Sequence, residues 1–303
     1  MALAPRVVVV HRRSELEELK EQHSTRGQVE FFLKQRGATL ASVEEADAEG
    51  SDAVRAVGNA VPADWRRADV ERSDLPQFLF GPEDIVAVVG RDGLVANVAK
   101  YVGSQPVIGF NPFPHANAGV LTRFAPEDAG AALAATVSGH ALVSERTMVV
   151  ALADDGQQVT ALNDVYVGDG GHQSARYRLA APGTTSEEQS SSGIVVGTGT
   201  GSTGWLASLA HDRGLATLLP SPAAPALAWF VREAWPSPFT QVHLTAGALP
   251  AGQRLEVTVR SDSLVVFGDG IEADRLQVRH GQTIEFGVAE RRLRLVEASR
   301  AGR

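Results

Sequence analysis

The segment Gly90-Arg91-Asp92-Gly93 stands at the end of the β-branched run Asp84–Val89. Its glycines let a backbone turn tightly and come close to a ligand. A helix starting there offers free N–H groups and a positive dipole end to an anion. Asp92 would lie at the carboxyl end of a parallel strand, where open α/β sheets place their ligands. A carboxylate there can take a proton from a substrate hydroxyl or help hold a metal. The same tetrapeptide also fits a plain strand-to-helix turn with an Asp cap. The second segment is Thr198-Gly199-Thr200-Gly201-Ser202-Thr203-Gly204. Its hydroxyls and open backbone could cradle phosphates. Gly199, Gly201 and Gly204 fit G-x-G-x-x-G, but Pro220–Phe230 lacks the acidic residue a dinucleotide fingerprint needs about 20 positions on, and no Lys follows as in a P-loop.

Asn163-Asp164 lies in or beside the apolar stretch Val159–Val167. Asn and Asp can bind ribose hydroxyls or an amide edge, and they also make ordinary turns. Gly268-Asp269-Gly270 reads locally as a hairpin turn, for which Asp-Gly is a strong short signal. The eight histidines show no H-E-x-x-H or other metal spacing, so no metal ligands are assigned. Ser202 lacks the G-x-S-x-G setting of a hydrolase nucleophile. His115 and His172 lie near glycine loops, where a lone His is usually structural or solvated.

The elements that must position these residues change character along the chain. Arg6–His11 and Asp84–Val89 read as buried strands, Leu16–Lys20 and Val29–Arg36 as helices, and Ser42–Asp74 as helix or loop. The sequence Asp84–Val89, glycine turn, helix Leu94–Val102, strand Pro106–Phe110 is a βαβ unit, which implies parallel pairing. Pro126–Ser138 reads as a helix with Pro at its start. Beyond it, short alternating segments predict strands at Arg146–Leu152, Val159–Val167, Ala175–Ala180, Gly193–Val196, Gln241–Thr245, Arg254–Val259, Leu264–Phe267 and Arg275–Val278. A helix is expected near Thr203–Asp212, an exposed mobile loop over Ala181–Ser192, and a frayed end over Glu297–Arg303. The expected fold is α/β plus β-rich: residues 1–125 form an α/β domain with a parallel sheet, and residues 126–303 a β-rich domain. The last residues are expected to pack back on the first domain.

Composition limits the functions open to this fold. The chain has 303 residues, a net charge of −8 and no cysteine. Disulfides, thiol catalysis, Fe–S clusters and thiolate zinc sites are excluded. No apolar run reaches the ~18 residues of a membrane helix, and Met1–His11 reads as a first strand rather than a signal peptide. A cytoplasmic location is expected. The acidic balance argues against nucleic-acid and anionic-membrane partners, and a phosphate-bearing ligand would need local donors.

Taken in order, these segments resemble the NAD kinase family. That family carries a G-G-D-G loop, an Asn-Glu or Asn-Asp pair, a T-G-S-T-like loop and a late Asp-Gly. Here they stand as Gly90–Gly93, Asn163-Asp164, Thr200–Thr203 and Asp269-Gly270. Pro106–Asn111, and Ser191-Ser192-Gly193 with the later Thr198–Ser202, look most like the mitochondrial-type branch. The resemblance implies two domains with the site between them. It implies transfer of the ATP γ-phosphoryl, with Mg²⁺, to the 2′-hydroxyl of the adenosine ribose of NAD or NADH. Asp92 would be the base, Gly90 and Gly93 would approach phosphates, Asn163 and Asp164 would bind the dinucleotide, and Thr200, Gly201, Ser202 and Thr203, with Asp269, would line the nucleotide site. A homodimer is expected. Arg91, Leu94 and Trp205 depart from the family pattern, where Gly, Thr and Ala are usual. They keep two alternatives open: a same-fold kinase of a lipid or sugar hydroxyl, and a non-catalytic NAD(H)-binding regulator.

Overall fold

The computed structural model describes residues 4–298. They fall into two compact units. The first runs to Ser144 and resumes at Arg294; the second is Glu145–Leu293.

In the first unit, β1 (Arg6–His11), β2 (Arg66–Glu71), β3 (Asp84–Val89) and β4 (Pro106–Phe110) pair in parallel in the order β2-β1-β3-β4. Strands β1 and β3 are runs of Val, Ile and Ala because helices cover both faces of a parallel sheet. The helices are α1 (Glu15–His23), α2 (Arg26–Gln35), α3 (Leu40–Asn59), α4 (Asp92–Ala99) and α5 (Ala129–Val137). Ser14, Thr25 and Thr39 begin the first three by accepting a backbone N–H bond at the open helix end. Strand β5 (Leu142–Arg146) closes one edge of the sheet. The unit α3, β1, β3, β4 and α5 shares one apolar cluster that includes Val7, Val57, Ile85, Phe110 and Leu133.

The second unit holds two antiparallel six-stranded sheets. In chain order the strands are β6 (Val149–Ala153), β7 (Gln158–Ala161), β8 (Asp164–Gly168), β9 (Ala175–Ala180), β10 (Glu187–Ser191), β11 (Ile194–Gly197), β12 (Ala226–Val231), β13 (Ala246–Pro250), β14 (Leu255–Val259), β15 (Ser263–Gly268), β16 (Ile271–Arg279) and β17 (Thr283–Val288). One sheet has the order β10-β9-β14-β17-β6-β7, the other β13-β12-β11-β8-β15-β16. A single apolar cluster joins inward residues of both, among them Tyr177, Val257 and Phe286 from one and Val196, Trp229 and Val266 from the other. The opposite face of the second sheet, through Tyr166, Val195 and Phe230, packs on α6 (Trp205–Asp212). That double burial is why β8, β11 and β12 are apolar throughout instead of alternating.

The last strand among the described residues, β18 (Leu293–Glu297), lies between β4 and β5 and runs parallel to β4. Glu297 is therefore in a strand rather than a frayed end. Its carboxylate accepts bonds from the Ser144 hydroxyl at 2.6 Å and from Arg123. Residues 299–303 of that expectation lie outside the described residues.

Several other expectations are corrected. Ala181–Ser192 is not a loop throughout: Glu187–Ser191 is β10, paired with β9. Its polar side chains face inward and are satisfied there, the Tyr177 hydroxyl bonding Gln189 at 3.0 Å and Ser191 at 2.6 Å. Gln241–Thr245 is not a strand; Gln241 N donates to Glu188 O along the free edge of β10. Ser42–Asp74 contains β2 as well as α3, and β2 is hidden in sequence because an edge strand exposes Arg66, Arg67 and Asp69. Val159–Val167 is two strands in different sheets, β7 and β8, with the crossing at Leu162-Asn163. Arg146–Leu152 likewise divides between β5 and β6.

Candidate functional site

In the first unit, Gly90 follows β3 and Asp92 and Gly93 are the first two residues of α4. The helix thus starts two residues before the expected Leu94. The Asp92 carboxylate does not cap this helix. It reaches the segment after β4: Oδ1 accepts from Leu121 N (2.9 Å), Thr122 N (3.0 Å) and the Thr122 hydroxyl (3.1 Å). Among the described residues, Oδ2 accepts only from Val120 N (2.8 Å). A carboxylate has about four acceptor positions, two per oxygen, so Oδ2 keeps one for a further donor. Sequence reasoning missed the 120–122 segment, since nothing in Val120-Leu121-Thr122 marks it as an anchor.

A Cβ placed on Gly93 would meet nothing within 4 Å. The fold does not require glycine there. Gly93→Ala is expected to fold with unchanged or slightly raised stability, because Ala is the better helix residue by about 0.8–1.0 kcal/mol in a helix interior. A loss of activity in a variant with an unchanged melting temperature would report close approach of a ligand; unchanged activity would remove Gly93 from the site.

In the second unit, Asn163, Asp164, Asp269 and Thr198–Thr203 gather around the crossing from β7 to β8. The Asp269-Gly270 turn joins β15 to β16 with positive φ at both residues (56° and 68°), the two-residue hairpin type that Asp-Gly favours. Its carboxylate accepts from Leu162 N (3.0 Å) and Asn163 N (2.7 Å), and Asp269 N donates to Asp164 O (2.9 Å). Asp269 thereby fixes the Asn163 loop. The late Asp-Gly is at once a hairpin turn and a support of the Asn-Asp pair.

The glycine-rich loop is fastened to the same crossing. Thr198 N donates to Asn163 O (2.8 Å), and the Thr198 hydroxyl donates to Leu162 O (2.6 Å) while accepting from Thr200 N (3.1 Å). Thr198 opens the segment read as a phosphate cradle, and its hydroxyl is spent on organising the loop. Ser202 and Thr203 spend their hydroxyls on carbonyls of the loop itself, Thr198 O (3.1 Å) and Thr200 O (3.2 Å). The Thr200 hydroxyl differs: it is buried and has no hydrogen-bond partner among the described residues. A buried hydroxyl left unpaired costs about 1–3 kcal/mol, so a ligand atom that met it would be favoured.

Gly201 is required by close approach. A Cβ there would stand 2.4 Å from the backbone oxygen of Asn163. Gly201→Ala is expected to push the two segments apart, lowering stability by about 1–3 kcal/mol and weakening any ligand held by Asn163. Unchanged thermal unfolding would contradict this packing. Trp205 is packed against Tyr166 (centroids 5.8 Å apart), with the Arg232 guanidinium 5.3 Å from its ring centroid. His115 and His172 are both exposed.

Asp164 is 8% exposed, and its side chain has no hydrogen-bond partner among the described residues. Burial, reinforced by the nearby Asp269 charge, raises its carboxyl to about 7. Perturbed acids of this kind concentrate at functional sites. Among the described residues no group of three or more metal-ligating His, Cys, Asp or Glu side chains occurs, and no helix is long and apolar enough to cross a membrane.

The fold and site define a two-unit protein, an α/β unit with a carboxylate at a parallel-strand end and a β-sandwich unit with a polar, glycine-lined crossing. This architecture is consistent with a two-domain NAD kinase fold. No family model matches the chain. It is similar to the NAD kinase of Chlorobaculum tepidum, 32% identical over 140 residues, 45% of this chain and 46% of that protein. It is 30% identical to the NAD kinase of Bordetella avium over 152 residues (46% and 50%). It is also 30% identical to that of Neisseria meningitidis serogroup C over 182 residues (57% and 56%). The chain spans about half the length of the curated relatives it matches. These similarities support the NAD kinase family for this chain.

Proposed function

We propose that the chain is an NAD(H) kinase that moves the γ-phosphoryl of MgATP to the 2′-hydroxyl of the adenosine ribose. The observation that carries this reading is the gathering of Asn163, Asp164, Asp269 and Thr198–Thr203 at one strand crossing. Three segments far apart in sequence meet there in the combination that the resembled family uses. The relatives named NAD kinase add to it.

In the proposed reaction Asn163 and Asp164 bind hydroxyl and amide groups of the dinucleotide, and the unpaired Thr200 hydroxyl meets a polar atom of the same ligand. Asp92 Oδ2 accepts the 2′-hydroxyl proton as the ribose oxygen bonds to the γ-phosphorus. The bond from the γ-phosphorus to the β–γ bridging oxygen breaks, and ADP leaves. Phosphoryl transfer needs positioning and charge neutralisation more than covalent help. Mg²⁺ enters with ATP as part of the substrate; such ions are held largely by phosphates and waters with one or two carboxylates, so a protein cage is not required. The likeness to the mitochondrial-type branch, a homodimer and a cytoplasmic location belong to the same proposal.

A non-catalytic dinucleotide-binding role is the second reading, favoured by the Asp92 carboxylate already accepting four hydrogen bonds. Calorimetric titration separates the two. A kinase binds both NAD(H) and MgATP, whereas a regulator of this kind binds NAD(H) alone. Failure to bind NAD and NADH would overturn both.

A further inference from the structure

Arg91 precedes Asp92 and is exposed. Its guanidinium carbon lies 5.8 Å from the ring centroid of Phe113, a cation–π distance. Among the described residues it has no ion-pair partner. The arginines that follow the neighbouring β1 are already paired, Arg12 with Glu18 and Arg13 with Glu21, both at 3.0 Å. Asp92 makes no ion pair with Arg91; its carboxylate is turned to the backbone of residues 120–122. Arg91 is thus a steered but unpaired cation.

Its place in the fold gives that cation a use. The chain passes from β1 outward to β2 on one side and from β3 to β4 on the other, so the sheet changes direction between β1 and β3. Open parallel sheets bind ligands beyond the carboxyl ends of strands at this point. Arg91 lies just beyond the carboxyl end of β3. With a chain of net charge −8, a polyanionic ligand is repelled at long range and needs a local cation.

We propose that Arg91 binds the phosphates of the phosphoryl donor, its guanidinium bridging two phosphate oxygens while Phe113 holds it in orientation. Arginine suits this role because its planar fork meets phosphate with two parallel bonds, which lysine cannot do. Arg91 is a donor-specificity residue and not the base. The inference rests on the proposed kinase function, whose own failure is read separately below.

The test is steady-state kinetics with MgATP and NAD or NADH, together with calorimetric binding of MgATP, on wild type, Arg91→Ala, Arg91→Lys and Phe113→Leu. Arg91→Ala is expected to raise the donor KM at least about tenfold, the size of one lost charge-assisted contact. The acceptor KM should stay within about twofold, since the proposal places Arg91 on the phosphates of the donor alone. Arg91→Lys should fall between, and Phe113→Leu should give a smaller rise. Arg91 is exposed, so the melting temperature of Arg91→Ala should be unchanged. A donor KM that is unchanged or lower in Arg91→Ala overturns the inference. If wild type makes no phosphorylated dinucleotide, the kinase reading fails, and Arg91 is judged on binding alone. Then a tenfold weaker MgATP affinity in Arg91→Ala upholds the role, while equal affinities, or no MgATP binding by wild type, overturn it.

Discussion

Asp92→Asn is expected to lower turnover of MgATP with NAD(H) by at least about a hundredfold while the protein stays folded. A placed general base contributes about 10²–10⁴-fold, and an amide cannot take the proton. The substitution also has a structural side. Both carboxylate oxygens of Asp92 accept backbone N–H bonds, from Val120 on one and from Leu121 and Thr122 on the other. Asn has one acceptor oxygen and a donating NH₂ group, so one of these N–H groups must face another donor. The expected stability cost is about 1–3 kcal/mol. Thr122→Val is the control: it removes only the hydroxyl bond to Oδ1 and leaves the backbone bonds and Oδ2 in place. The account expects Thr122→Val to lose about 0.5–1.5 kcal/mol of stability and little turnover. A folded Asp92→Asn protein with wild-type turnover would remove Asp92 from the chemistry and leave it an anchor of the 120–122 segment.

Asp164→Asn is expected to make the protein more stable at pH 8 and worse at binding the dinucleotide. The Asp164 carboxyl is raised from 3.8 to about 7, chiefly by burial and next by the Asp269 charge. A folded-state value above the unfolded value means that the native state holds an extra proton between about pH 4 and pH 7. The contribution of this group to stability is therefore complete below about pH 4 and is lost as pH rises through 7. A shift of about three pH units corresponds to as much as about 4 kcal/mol lost across that window. The neutral amide escapes the penalty. Urea unfolding from pH 4 to pH 8 checks the claim: the wild-type curve should fall relative to that of Asp164→Asn, with the gap opening toward pH 7. Parallel curves would show that the buried carboxylate carries no such penalty. Stability gained together with binding lost is the pattern expected where a protein keeps a costly group for function.

The sequence shows the local chemistry of this molecule more clearly than its crossings. Strands β1, β3 and β4 are visible because both faces are covered, leaving uninterrupted apolar runs. The Asp269-Gly270 hairpin is visible because Asp-Gly accepts two positive φ values. Strand β10 is hidden because its inward positions are Glu187, Gln189 and Ser191, which satisfy one another and Tyr177 rather than packing as hydrocarbon. Strands β7 and β8 read as one because apolar residues continue across Leu162-Asn163 while the chain changes sheet. That crossing is where the candidate site forms, and what holds it there is non-local. Asp269 binds its N–H groups from 106 and 107 positions away, and the Thr198 hydroxyl bonds Leu162 O from 36 away. Motif order places Asn163, Thr200 and Asp269 in one group. Only the fold reveals that Asp269 acts on the backbone, that Ser202 and Thr203 bond their own loop, and that the Thr200 hydroxyl has no partner among the described residues.

The most direct test is to incubate the purified chain with ATP, Mg²⁺ and either NAD or NADH, and to locate any new phosphate by phosphorus NMR and mass spectrometry. The account predicts one ADP formed for each phosphorylated dinucleotide, with the phosphate on the 2′-oxygen of the adenosine ribose. Bound NAD(H) with ATP left intact, or phosphate on any other hydroxyl, would contradict it.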